Sequence, residues 1–482
     1  MAGINIELKK IHNKKGYFNT LSTYLFSAVI LTGPMLFLVS LLIFVEYLLI
    51  SFGINDIERE LVTVIISNCG MLSVAINSLF IMLIIRYVAD CIYEKNYQRI
   101  LPSFYGGLVI MLTISNIIFF IWSLFLDMTT IYKFIIMGLV NSFLTVWTQM
   151  SYVSILKNYK TIFLSYIIGF ISIYASILIF YKLFKLNLLI SALGAVFLGF
   201  TLMSTLLMRV ILIYCPKGKG SIFHFIRYFN IHPKLLIIGF CWMMGSLGHN
   251  IVSFFGPYGV LLKGGFFYNS VYDWPAFLSY LTILPTTIYF YTFTETSFYT
   301  AYKEYFNLIT TDGIFKEIEV ARDKMISLAM SQIFKIAIIQ MITTMIFVVA
   351  GSRILVSMDP GMFGIFRVLC IGYFFYAIAN TIFILALYFD DQDTCFKVSI
   401  LFFVLSLSLT AIINFNFGVI FFGISYVISS IITLFFILYR FLKFIGLLNF
   451  RIFCSQPVFF KPYTGCFIRL SDYLDKEAKG SD

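Results

Sequence analysis

Twelve apolar runs, each long enough to cross a lipid bilayer, constrain the fold of this chain more than any other feature of its sequence. A membrane-crossing helix needs about 20 consecutive, predominantly apolar residues. The runs cover Phe18–Ile50, Leu61–Tyr87, Leu101–Leu126, Ile131–Leu156, Thr161–Tyr181, Leu188–Tyr214, Leu235–Phe255, Trp274–Phe298, Gln332–Gly351, Ile365–Phe389, Phe396–Ile413 and Phe417–Tyr439. Because hydrocarbon offers no hydrogen-bond partners to the backbone, each run predicts an α-helix. Charged residues make up 12% of the 482-residue chain, about half their share in soluble domains, so the sequence predicts an all-α polytopic membrane protein.

The basic residues predict the orientation of these helices. If the N-terminus is cytoplasmic, all but seven of the 34 lysines and arginines fall in cytoplasmic segments, as the positive-inside rule requires. The exceptions are Arg59, Lys133, Lys182, Lys185, Lys263, Arg353 and Arg367. Both termini are therefore expected in the cytoplasm. The net charge of +11 is explained by topology, and we expect the lipid bilayer, and no nucleic acid, as a partner.

The order of the runs predicts two halves. Residues 1–214 are expected to form a first six-helix bundle with a basic N-terminal tail, which no cleavage site follows, and residues 215–234 a cytoplasmic linker. Residues 235–445 would form the second six-helix bundle, including an amphipathic cytoplasmic helix at about 312–330 that lies at the membrane interface. Residues 446–482 would form a basic cytoplasmic tail.

No pattern in the sequence supports catalysis. Phosphate-binding, nucleophile and metalloprotease motifs are absent, and none of the eight cysteines forms a CxxC pair. We therefore expect no catalytic residue, no cofactor and no metal site.

Polar side chains at membrane depth are the remaining candidates, because they are costly there. In the eighth run, Asp273 and Glu295 are 22 positions apart, which is roughly 33 Å along a helix and matches the bilayer thickness. A polar, aromatic face is predicted between them, formed by Tyr280, Thr287, Tyr291 and Thr294. This face would line a path for a polyhydroxylated substrate. The simpler alternative is helix packing, with Glu295 reaching the inner interface.

The seventh run carries a polar pair, His249 and Asn250, beside the small residues Gly245, Ser246 and Gly248. The pair would form a substrate or proton site, or a hydrogen bond between helices at a close crossing. Arg209, near the inner end of the sixth run, is expected to lie at the membrane interface.

Several blocks resemble the PelG family, the membrane transporters of Pel exopolysaccharide systems. They include MAGINIELKK, LTGPMLF, RYVADCIYEKNYQRILPSFYG, HPKLLIIG, YDWPAFLSYLTILP, FTETSFYTAYKEYFNLI and IEVARDKM. The resemblance runs in order from residue 1 to about residue 330, and more loosely to the end.

This resemblance implies a fold and partners. The fold would be that of the multidrug/oligosaccharidyl-lipid/polysaccharide flippase superfamily, with two six-helix bundles around a central cavity that opens to alternate sides of the plasma membrane. The substrate would be a polysaccharide rich in N-acetylgalactosamine. The partners would be a cytoplasmic UDP-sugar-dependent glycosyltransferase and other Pel membrane subunits. Glu295 matches an acidic position of the family, whereas His249-Asn250 replaces an Asp-Lys pair.

Two alternatives stay open from the sequence. The chain could be a lipid-linked oligosaccharide flippase or a drug/cation antiporter of the same fold, although an antiporter normally needs a buried carboxylate. It could also be a non-transporting scaffold that docks and activates the glycosyltransferase, which would not need the polar face of the eighth run.

Overall fold

The computed structural model describes residues 33–155, 159–216, 218, 221–262, 264–311, 313–355, 360–454 and 464–480. These residues are almost entirely helical. The predicted fold class, an all-α polytopic membrane protein, is confirmed. The ends of the helices follow local capping rules in places. For example, the Asn187 side chain accepts the Leu189 N–H, and that of Asp391 accepts the Thr394 N–H, each at the start of a long helix.

The first elements along the chain are α1 (Gly33–Ser51), α2 (Asp56–Tyr93), α3 (Ile100–Ser123), α4 (Thr130–Ile155), α5 (Tyr159–Ile177), α6 (Leu188–Tyr214), the short α7 (Tyr228–Ile231) and α8 (Lys234–Phe254). A two-stranded hairpin follows, in which β1 (Val260–Leu262) pairs antiparallel with β2 (Phe266–Tyr268). Its turn uses Gly264 and Gly265, both with positive φ, a conformation that glycine adopts without strain.

After the hairpin come α9 (Ser270–Tyr280), α10 (Leu284–Phe293), α11 (Tyr299–Thr310), α12 (Phe315–Leu355), α13 (Pro360–Tyr388), α14 (Gln392–Asn416), α15 (Ile424–Gly446), α16 (Leu448–Cys454) and α17 (Cys466–Gly480). A 3₁₀ turn at Leu281–Ile283 separates α9 from α10, and a π-helical turn at Thr294–Phe298 separates α10 from α11.

Ten of the described helices are long and apolar enough to cross a membrane. Of the other two predicted spans, the first begins at Phe18, and its residues 18–32 lie outside the described part of the chain. The eighth is not one uninterrupted helix, because the 3₁₀ and π-helical turns divide it. Pro285 lies in the first turn of α10, where its missing N–H costs no helical hydrogen bond.

The amphipathic segment predicted at 312–330 is part of a longer helix. Residues from Phe315 onward form the first half of α12, a helix of 41 residues, which is about 60 Å long. The segment is therefore continuous with the ninth predicted span, and its expected position at the cytoplasmic membrane interface stays a prediction.

The chain forms two compact units. In its described residues, the N-terminal unit comprises 33–244, 259–268 and 464–480, and the C-terminal unit comprises 245–258 and 269–454. In the N-terminal unit, α6 packs against α4 and α5, with the Phe143 and Phe200 rings 4.2 Å apart. In the C-terminal unit, α13 packs against α9, α12 and α15. The predicted boundaries of the two bundles remain predictions.

Candidate functional site

Four buried tyrosines surround His249 in the interior of the C-terminal unit. We call His249, Tyr272, Tyr373, Tyr376 and Tyr426 the histidine–tyrosine cluster. His249 Nδ1 lies 2.8 Å from Tyr272 Oη, and His249 Nε2 lies 3.3 Å from Tyr373 Oη. The Tyr426 ring centroid lies 4.4 Å from that of the imidazole. His249 is 0% exposed, so both ring nitrogens are satisfied by hydroxyls inside the protein.

Helices α8, α9, α13 and α15 each contribute to this cluster. A close approach of α14 supports it, because a Cβ on Gly245 would lie 2.5 Å from the Phe402 ring. Phe402 in turn stacks on Tyr376, with ring centroids 5.7 Å apart. Gly245 of α8 therefore permits a close crossing with α14. His249 forms hydrogen bonds to Tyr272 of α9 and Tyr373 of α13, an arrangement compatible with a hydrogen bond between helices at a close crossing.

Asn250 of α8 and Asp273 of α9 are buried, and each directly follows a cluster residue in the chain. Asn250 is 2% exposed, and its Oδ1 has no hydrogen-bond partner among the described residues. Asp273 Oδ2 accepts the Asn269 N–H at 3.2 Å, and the Asn269 amide donates to the Ser253 carbonyl at 3.1 Å. Asp273 thus orders the turn that leads into α9.

The residues of the predicted face of the eighth run belong to two helices and a π-helical turn. Tyr280 ends α9 and packs edge-on against Tyr373, with centroids 5.5 Å apart. Thr287 and Tyr291 lie one turn apart in α10, while Thr294 is fully buried and donates to the Phe290 carbonyl. The 3₁₀ turn Leu281–Ile283 separates Tyr280 from the other three along the chain, and a substrate path along these four residues stays a prediction.

Glu295 lies in the π-helical turn Thr294–Phe298, and its side chain is outside the described part of the structure. A π-helical turn inside a helix frequently marks a functional position. The role of Glu295 therefore stays a prediction.

Two glutamines of α12 were missed by the sequence reasoning. The fully buried Gln340 accepts a hydrogen bond from Thr286 and donates to the Thr282 carbonyl at 3.3 Å. Gln332 accepts one from Tyr289 at 3.0 Å. Both lie in the ninth predicted span. A polar amide within an apolar run could have marked them as candidates from the sequence.

An open cavity of about 660 Å³ lies along α6, beside Gln149 of α4, in the N-terminal unit. Its lining includes Gln149, Ser204, Thr205 and Arg209. Arg209 makes no hydrogen bond or ion pair among the described residues. Sequence reasoning placed Arg209 at the interface and did not predict the cavity.

A second histidine, His224, lies in the linker outside the membrane spans. Its Nε2 is 3.0 Å from Arg227 Nη1. Because a guanidinium only donates, Nε2 must accept, and Nδ1 carries the proton toward Tyr87 Oη at 2.9 Å. Burial, and then the charge of Arg99, lowers the pKa of His224 to about 4.

Carboxylates are confined to the ends of the ten spans. No Asp or Glu lies more than about three turns from an end of any of these helices. In the part of the chain that the structure describes, no three His, Cys, Asp or Glu side chains come together as metal ligands.

Solved transporters share this fold. An outward-facing multidrug resistance MATE transporter of the MOP superfamily aligns with a TM-score of 0.60 and 12% identity, over 88% of this chain and 96% of its own. An inward-facing structure of a MATE family transporter of that superfamily aligns with a TM-score of 0.53 and 12% identity, over 87% and 98%. At such identity the likeness shows the fold alone.

Sequence comparison is more specific. No curated protein matches the chain. The family model described as "PelG: Putative exopolysaccharide Exporter (EPS-E)" matches residues 1–453, which is nearly the whole sequence. The family and the fold are those of a membrane transporter, and this chain therefore belongs to the PelG family of exopolysaccharide exporters.

Proposed function

We propose that this protein exports a Pel-type, N-acetylgalactosamine-rich polysaccharide across the plasma membrane. The observation that carries the proposal is the chemistry of the buried polar groups. In the ten spans and the cluster they are neutral hydroxyls, amides and one imidazole, together with aromatic rings. The buried carboxylate of Asp273 lies in the first turn of α9, next to the cluster residue Tyr272. Hydroxyls and amides can exchange hydrogen bonds with a neutral sugar, and aromatic rings offer apolar faces on which a sugar ring can lie.

The path would run through the C-terminal unit. Tyr280, Tyr373 and the imidazole of His249 already lie side by side, and the turns on either side of α10 interrupt the neighbouring segment. A segment with such interruptions can bend where an unbroken helix cannot. Bending at α10 would open the cluster toward Thr287, Tyr291 and Glu295.

The cytoplasmic glycosyltransferase would supply the polymer from a UDP-sugar, with other Pel subunits as further partners. Export coupled to synthesis requires no lipid carrier. The lipid-linked alternative requires one, and the antiporter alternative needs a carboxylate at membrane depth for its ion.

The test is polymer secretion by cells that lack this chain. We expect secreted polymer to fall to background and to return when the wild-type chain is restored, with no change in sensitivity to toxic cations. If labelled N-acetylgalactosamine instead accumulates in a fraction that organic solvent extracts, the substrate is lipid-linked. Normal secretion without the chain would refute export.

A further inference from the structure

The cavity along α6 carries the charge and hydrogen-bonding groups of an anion site. Arg209 lines it and is exposed, without a described anionic partner. Ser204 and Thr205 lie on the same helix one turn before Arg209. The Thr205 hydroxyl donates to the Leu202 carbonyl at 2.7 Å, so its oxygen is left to accept.

Gln149 provides the second, independent observation. It projects from α4, is 2% exposed, and its Oε1 has no partner among the described residues. Leaving a buried acceptor without a donor is unfavourable. A ligand hydroxyl would be stabilised at this oxygen once rotation of the Gln149 side chain exposes it to the cavity.

The predicted topology places the cavity at the depth of lipid headgroups. Gln149 is six residues from the end of α4, and Arg209 is five residues from the end of α6. Both are therefore about 8–9 Å from their helix ends. The predicted orientation places both ends at the cytoplasmic face.

We propose that this cavity binds a phosphodiester that carries a hydroxyl group, with the phosphate on Arg209 and the hydroxyl donating to Gln149 Oε1. A guanidinium donates to phosphate oxygens in a bidentate geometry. The phosphoglycerol group of an anionic lipid and a water-borne glycerol phosphate share this chemistry. The inference does not depend on the proposed export activity, since it concerns binding alone.

The experiment measures ligand binding to the purified full chain in detergent micelles. Phosphatidylglycerol, phosphatidylmethanol and phosphatidylcholine are titrated separately, and bound lipid is counted by native mass spectrometry. Phosphatidylmethanol has the same phosphodiester without a headgroup hydroxyl. Wild-type protein should prefer phosphatidylglycerol to both other lipids.

Two variants separate the parts of the site. Arg209→Gln should weaken phosphatidylglycerol binding about tenfold or more, the effect of one lost charge-assisted hydrogen bond. Gln149→Leu should remove the preference for phosphatidylglycerol over phosphatidylmethanol and keep the binding of both. Arg367→Gln is the matched control, because Arg367 is an exposed arginine on a membrane span outside this cavity.

The outcomes also distinguish the source of the phosphate. Binding of free glycerol phosphate that Arg209→Gln abolishes would identify a water-borne ligand, whereas binding of the lipid alone would identify a headgroup. If Arg209→Gln misfolds, Arg209→Lys keeps the charge and should bind with intermediate affinity. The proposal is wrong if Arg209→Gln binds every probe like the wild type, or if Arg367→Gln loses as much binding.

Discussion

His224 shows how a single side chain can make one region of the protein sensitive to pH. The neutral imidazole accepts from Arg227 and lies near Tyr87, and Asp475 of α17 is 3.6 Å from Nε2. Arg99 opposes protonation, while Asp475 and Asp472 favour it. Burial dominates, so the pKa of His224 falls from 6.5 to about 4.

The lowered pKa predicts loss of stability in acid. Between pH 6.5 and 4 the unfolded chain binds a proton at this position and the folded chain does not, so the free energy of unfolding falls as pH falls through this window. We expect the thermal midpoint of the purified protein to fall between pH 7 and pH 4.5, and His224→Gln to show a smaller fall. Equal slopes for the two proteins would show that another group is responsible.

For Glu295, the family resemblance and the π-helical turn both favour a functional role. Its backbone lies in a π-helical turn, and the resemblance to the family implies an acid at this position. Glu295→Ala should lower secreted polymer by roughly tenfold, the equivalent of one lost charge-assisted hydrogen bond, while the protein stays abundant in membranes. Glu304→Ala is the control, because Glu304 pairs with Lys324 at 2.8 Å on an exposed surface. Unchanged secretion in Glu295→Ala would remove Glu295 from the path.

Among the elements, the C-terminal helix α17 makes a contact that the sequence did not predict. It packs against the linker residues 224–231. Asn230 Oδ1 accepts the backbone N–H groups of Phe467 at 2.9 Å and Ile468 at 3.3 Å, and Ser471 Oγ donates to the His224 carbonyl. The tail thus contains a helix whose first turn is hydrogen-bonded to the linker.

Removal of α17 should expose the linker. A chain that ends before Cys466 is expected to be cut faster by trypsin between Cys215 and Lys234, as measured by the intact masses of the fragments. Asn230→Ala should have the same effect in weaker form, since loss of such a cap costs about 1 kcal/mol. Asn416→Ala, which removes an amide that bonds the Ile412 carbonyl within α14, is the control. If both linker variants resist trypsin like the wild type, the contact does not protect the linker.

The eighth predicted span shows where sequence periodicity stops being informative. Asp273, Pro285 and Glu295 marked the segment as unusual, and the structure interrupts it twice. A spacing argument assumes one regular helix, however, so it could not place Tyr280 beside Tyr373. That contact depends on a neighbouring helix 93 residues further along the chain.

For the whole molecule, the helices were predictable because hydrocarbon permits few alternatives for the backbone. The predicted span Ile365–Phe389 and the helix Pro360–Tyr388 agree closely. The compact units were less predictable. Sequence order assigns α8 to the second half, whereas its residues up to Met244 belong to the N-terminal unit, since Gly239 packs against the backbone of Ser78.

The predicted topology can be tested with cysteines and a thiol reagent that does not cross membranes. Ile57→Cys and Leu261→Cys, at positions that are 75% and 61% exposed in the wild type, should react in intact cells. Lys219→Cys should not. The exposed Cys454 and Cys466 provide an internal control, because both should react only after permeabilisation. Reaction of Lys219→Cys in intact cells would show that the orientation is opposite to the predicted one.

Export of polymer is tested most directly in inverted membrane vesicles that contain this chain and its glycosyltransferase. Labelled UDP-N-acetylgalactosamine is added outside, and the label in polymer is measured before and after an external glycosidase, with and without detergent. We predict polymer that resists the glycosidase until detergent is added, and only in vesicles that contain this chain. Polymer that is made but fully digested without detergent would contradict export and show that the protein is a scaffold for synthesis.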